Sequence, residues 1–192
     1  MSAQAATSVG ATAGASVTLF SCFAGMGAGL VELSIASSYI SSRGSLMWAG
    51  GIFAVWGLAL LASSIASLQR GRLRFRKPTT VGLFVAVLVH VAVLVAGIVQ
   101  GVLDGGHLAA LFLVLMALGS SAWLARRFRD DGGGDDDGGT ATAPPRTGAL
   151  LAAAFAAAVV VATVTTPGLA ASVAGQHAVP HGGHSLPSGH NH

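Results

Sequence analysis

Long apolar blocks alternate with short polar segments along this chain. Each block is about 20 residues long, the length that crosses a hydrocarbon core. A helix at the surface of a soluble domain would carry only an apolar stripe; these blocks are apolar all round. Five spans are predicted: Ser16–Ile40, Leu46–Leu68, Val81–Leu103, His107–Leu124 and Gly148–Leu169. The third and fifth, built from Leu, Val and Ala without a charge, give the strongest signals. The first gives the weakest, because it is rich in Gly and Ser and contains Glu32. The pattern predicts an all-α integral membrane bundle of five transmembrane helices over residues 14–172. Residues 1–13, small, polar and uncharged, are expected to be a flexible N-terminus, and residues 173–192 a polar tail. No basic segment precedes the first block, so it is expected to stay in the protein and not to act as a secretory signal.

Composition agrees with the pattern. Hydrophobic residues make up 53% and charged residues only 9%, far below the roughly 25% charge of soluble domains. The basic balance does not point to nucleic acid, because the basic residues sit between apolar blocks without interleaved aromatics. They act instead as topology signals. Arg70, Arg72, Arg74, Arg76 and Lys77 fill the second-to-third loop; Arg126, Arg127, Arg129 and Arg146 flank the fourth-to-fifth. Five spans put both loops on one side, leaving only Arg43 on the other. The positive-inside rule then predicts a cytoplasmic N-terminus and an exoplasmic C-terminus in a multi-pass protein of the cell membrane. Tyr39 and Trp48 at the outer boundary and Trp123 at the inner one suit aromatic anchors. The basic loops suit anionic headgroups of the lipid bilayer.

The Gly/Asp-rich stretch 130–146 has too little apolar surface to fold and is expected to be a disordered loop. Its carboxylates lack the spacing and closing Glu of an EF-hand. Cys22 is the only cysteine, which excludes an intrachain disulfide; a small buried thiol is the ordinary reading.

Ionisable side chains inside a bilayer are costly and normally face the bundle interior. Glu32 in the first span and His90 in the third are the two candidates. At 100° per residue, Gly25, Gly29 and Glu32 share one face. His90, Gly97, Gly101 and Asp104 share another. Small residues let helices approach closely, so spans one and three are expected to pack along these stripes. Asp104, Glu32 and His90 then follow one another inward. Three roles stay open for Glu32 and His90: structural hydrogen bonding and packing, a proton or ion relay, and metal contact at the outer end.

The tail holds His177, His181, His184, His190 and His192. With His107 at the start of span four, this topology places six of the seven histidines on the outer surface. Neutral imidazole is a common metal ligand and suits copper or zinc. Pro180, Gly182, Gly183, Pro187 and Gly189 disfavour a helix, so a metal would be wrapped by flexible chain with modest affinity. A soluble, pH-responsive terminus is the plainer reading. Small residues at Ser172, Val173 and Ala174 after an apolar run also suit signal-peptidase cleavage, which would release the tail.

The stretch "GLVELSIASSYISSRGSLMWAGGIFAVWGLALLASSIASLQRGR" resembles the opening of small multi-span membrane proteins of high-GC Gram-positive, actinobacterial type. The ending "TTPGLAASVAGQHAVPHGGH" is similar to their His-tailed members. The resemblance implies a membrane location and no established activity. Where that pattern carries His, this chain has Glu32. No nucleophile–base pair, P-loop or dinucleotide fingerprint is present, so a non-enzymatic protein is expected. Three functions are compatible with the sequence: binding or buffering of transition metal by the tail, an accessory subunit held to a membrane-protein partner by its Gly stripes, and a proton- or ion-coupled transporter using Glu32 and His90.

Overall fold

The structure, a computed structural model, describes residues 3–42, 44–71, 76–101, 103–130 and 147–171. They form five helices: α1 (Ala3–Ser41), α2 (Met47–Arg70), α3 (Arg76–Val99), α4 (Gly105–Asp130) and α5 (Thr147–Ala170). All five contain a segment long and apolar enough to cross a membrane. Among the described residues there is no strand, and the protein is an all-α bundle.

The helix ends follow local chemistry. α2 stops at Gly71, whose left-handed φ of 62° lets its N–H reach the Leu68 carbonyl. α3 ends at Val99, short of the expected Leu103, because Gly101 turns the chain with φ 73°. Such a conformation suits glycine, which has no Cβ to clash. Asp104 then starts α4: its Oδ1 accepts from the backbone N–H of Gly106 at 2.8 Å and of His107 at 3.3 Å. This is an N-cap, which satisfies donors that a helix leaves unpaired. At the other extreme, α1 begins at Ala3. Residues 3–13, expected to be flexible, are therefore helical, as the strong helix propensity of alanine favours. The tail 173–192 and nearly all of the 130–146 loop lie outside the described residues.

α1 is the hub. It packs against α2, α4 and α5, while among the described residues the α3 backbone comes close only to that of α4. In the most apolar 18-residue stretch of each span, 61% of the residues are buried in α1, against 17% in α3 and 11% in α5. The core joins Ala24, Ala28, Val31 and Ile35 of α1 to Ala110, Leu113 and Val114 of α4.

The stripe of Gly25 and Gly29 does face a helix, but that helix is α2. A Cβ on Gly29 would meet the Gly57 carbonyl oxygen at 2.8 Å, and one on Gly25 would collide with the Ser64 hydroxyl. The expected packing of spans one and three is corrected: among the described residues the two backbones make no close approach. Gly101 lies past the end of its helix, and a Cβ there would meet nothing within 4 Å. The Gly97–Gly101 pair therefore does not form a continuous helical seam.

Candidate functional site

Each helix buries one stripe, and four of those stripes meet near the Asp104 end of the bundle. On α3 the buried residues Leu83, Ala86 and His90 share one face. On α4 the buried face runs through His107, Ala110, Val114 and Ala117. α1 contributes Glu32 and, two turns on, Tyr39. α2 contributes Phe53, between buried Gly50 and Gly57.

Where α1 and α3 stay apart, polar side chains span the gap. His90 Nε2 lies 2.9 Å from Glu32 Oε1. His90 Nδ1 lies 3.0 Å from His107 Nδ1. His107 Nε2 lies 3.2 Å from the Tyr39 hydroxyl. Glu32, His90 and His107 are all 0% exposed. Phe53 closes one side: its ring stacks on Tyr39 at 5.6 Å and on His90 at 6.1 Å, and meets His107 edge-on at 5.7 Å. Asp104, 53% exposed, places Oδ2 3.9 Å from His107 Nε2.

The arrangement has a definite direction. An ionised carboxylate only accepts hydrogen bonds, and a neutral imidazole has one donor and one acceptor nitrogen. With Glu32 ionised, His90 Nε2 donates to it, leaving His90 Nδ1 as an acceptor. His107 Nδ1 must then donate, and His107 Nε2 accepts from the Tyr39 hydroxyl. A single assignment satisfies all three contacts. With Glu32 protonated, every donor and acceptor along the chain exchanges roles, and the Tyr39 oxygen becomes the acceptor. The two states differ by one proton, and neither requires a heavy atom to move.

Glu32 Oε2 is buried without a hydrogen-bond partner. A carboxylate held by one hydrogen bond in an apolar surrounding is costly. The same group as a neutral acid is far less so. The site thus joins a buried carboxyl group, one of whose oxygens has no partner, to two imidazoles hydrogen-bonded in series.

Several expectations are revised by this geometry. Glu32 and His90 do lie inside the bundle, and they touch. His107 is not on the outer surface: it is fully buried, with both ring nitrogens occupied, so it has no free lone pair for a metal held by the tail. Asp104 lies between α3 and α4, 53% exposed, where it caps α4. The connected order from Asp104 is His107, His90, Glu32, and not Asp104, Glu32, His90. Among the described residues no group of three His, Cys, Asp or Glu side chains is arranged to hold a metal ion; His177, His181, His184, His190 and His192 lie outside those residues.

The sequence does not mark Tyr39 and Phe53 as site residues, yet both are partly buried against the core of the bundle. A separate groove of ≈ 470 Å³ opens between α1, α4 and α5, lined by Phe20, Trp123 and Ala157 among others. It lies toward the opposite end of the bundle and is lined by no ionisable side chain.

Compared with protein-family models, with curated proteins and with solved structures, the chain matches none. Its class is therefore defined by fold and site alone: an all-α bundle, with five helices of membrane-spanning character among the described residues and a buried chain of hydrogen-bonded polar side chains.

Proposed function

We propose that this is a non-enzymatic protein of the cell membrane that takes up and releases a proton at Glu32, as the working element of proton-coupled transport. The observation that carries the reading is the unbroken chain Tyr39–His107–His90–Glu32, its last three members fully buried, satisfiable in two opposite directions. Ionisable groups inside a membrane-spanning bundle are costly, and proton relays are among the functions they mark. Glu32 Oε2, buried without a hydrogen-bond partner, supports the same reading.

The test is proton flux into proteoliposomes under an imposed potential, followed with a trapped pH dye. Wild type should acidify the lumen. Glu32→Gln keeps the size of the side chain and an oxygen to accept from His90, but cannot take a proton, and should abolish the flux while leaving the bundle folded. His90→Phe should do the same. Equal flux in wild type and Glu32→Gln would sink the proposal.

A second reading rests on the five imidazoles of the tail, which suit copper or zinc at the exoplasmic face that the Arg/Lys asymmetry assigns. With His107 occupied inside the bundle, that metal would be held by the tail alone.

A further inference from the structure

We infer that Asp104 is the proton port of the relay, loading Glu32 through His107 from the α3–α4 end of the bundle only. The inference rests on the relay reading above and adds the side and the residue at which the proton arrives.

Asp104 uses its two carboxylate oxygens differently. Oδ1 is committed to the backbone, accepting from Gly106 and His107 N–H at the start of α4. Oδ2 is free of that cap and lies 3.9 Å from His107 Nε2. One atom fixes the helix that carries His107, and the other faces the ring. Asp104 is also the one strongly exposed residue in the set, at 53%, whereas Glu32, His90 and His107 are at 0%. The remaining groups facing the relay are few. α1 brings Glu32 and Tyr39, α2 brings the apolar ring of Phe53, α3 brings His90, and α5 contains no ionisable side chain. Water therefore meets the chain most fully at Asp104; Tyr39, partly exposed, reaches it at the same end of the bundle, and Glu32, His90 and His107 do not reach it.

The proton count closes. A proton carried on Asp104 Oδ2 passes to His107 Nε2, and the Tyr39 hydroxyl turns its hydrogen away. The proton on His107 Nδ1 moves to His90 Nδ1. The proton on His90 Nε2 moves to Glu32 Oε1. Three N–H or O–H bonds form and three break; Asp104 ends ionised and Glu32 ends neutral. Beyond Glu32 the α1–α2 seam closes tightly, with a Cβ on Gly57 only 2.9 Å from the Gly29 carbonyl oxygen. In this conformation the relay is a well filled from one end, as the outward- or inward-open half of an alternating cycle requires.

The experiment follows the carboxylic-acid C=O infrared band of Glu32 after a rapid pH drop, in detergent-solubilised full-length protein. Glu32→Gln identifies the band by its loss. Asp104→Asn and Asp104→Ser both retain an N-cap side chain but remove the proton carrier. Both should slow appearance of the band roughly 100-fold, within the range typical of a positioned acid or base. Its final amplitude and the melting temperature should stay near wild type. Added acetate buffer should restore the rate in both variants. Band formation at the wild-type rate in both variants would overturn Asp104 as the port and leave the relay standing. A Glu32 band that never responds to pH would overturn the relay itself.

Discussion

α1 and α5 are opposites. Over its most apolar 18-residue stretch α5 has a mean hydropathy of 2.2 against 1.6 for α1, yet only 11% of that stretch is buried against 61% of the α1 stretch. The helix with the weaker membrane signal is the centre of the bundle. The reason is physical. A helix facing lipid has no partner for a polar group, so its sequence is held to Leu, Val, Ala and Phe. A helix enclosed by three others finds partners in protein, and it can carry serines, glycines and an acid. Hydropathy thus measures contact with lipid, not importance to the fold. Glu32, Tyr39 and the glycines that approach α2 all belong to the helix that hydropathy ranks lowest.

The sharpest way to break this contrast is to enlarge a glycine on each helix. Gly29 of α1 and Gly57 of α2 bring their backbones together, and a Cβ on either would press on the other's carbonyl oxygen within 3 Å. Backbone cannot swing aside as a side chain can. Gly29→Leu should cost about 3 kcal/mol or more, the upper range for overpacking, or prevent folding. Gly148→Leu at the start of α5 meets open space and should fall within about 0.5 kcal/mol of wild type. Thermal unfolding in detergent compares the two. Similar melting temperatures would remove α1 from its central place.

A smaller effect is expected at the relay. Glu32→Leu leaves His90 Nε2 buried without its partner, a loss of about 2 kcal/mol. Glu32→Gln preserves an acceptor and should lose less than half of that. Phe155→Leu on α5, where the side chain is 73% exposed, should lose almost nothing. If Gln and Leu at position 32 destabilised equally, the hydrogen bond to His90 would carry no weight in the fold.

Much of this was legible in the residue pattern, and the failures share a cause. Spans two to five are marked by long apolar runs, and Glu32 in span one and His90 in span three stand out as ionisable groups inside predicted spans. His107 was misplaced because it opens its block beside exposed Asp104, where a linear reading sees a boundary. Its helical spacing to Ala110, Val114 and Ala117 would have put it on the buried face of α4. Phe53 was passed over because an aromatic in an apolar span is unremarked until its stripe, with Gly50, Gly57 and Leu60, is traced. The partner of the Gly25–Gly29 stripe was not legible at all. Angular position on one helix says which residues share a face, but not which helix covers it.

Gly101 tests the corrected end of α3. Its φ of 73° is left-handed, a region that costs a residue with a Cβ roughly 1 kcal/mol. Gly101→Ala should lower stability by about that amount through the backbone alone, since the new methyl would meet no neighbour within 4 Å. Gly97→Ala, inside the helix, should be neutral or slightly stabilising. The reverse order would restore a helical Gly97–Gly101 seam.

The smallest effect on the fold, and the largest separation between fold and function, is expected at the tail. Residues after Gly175 contain too little apolar surface to add to the core, so truncation there should leave the melting temperature unchanged. Metal binding should respond in the opposite way. A metal competes with protons for imidazole, so affinity for Cu(II) or Zn should fall as the pH drops through the ordinary histidine range near 6.5. Calorimetry above and below that range should find the binding in the full chain and not in the truncated one. His107→Ala now has a different expectation from that of a surface ligand. It should leave metal affinity intact while destabilising the bundle, because its ring bonds His90 and Tyr39 inside the protein. Loss of affinity in His107→Ala with an unchanged melting temperature would return His107 to the metal site. Equal affinity in the truncated and full chains would end the metal reading of the tail.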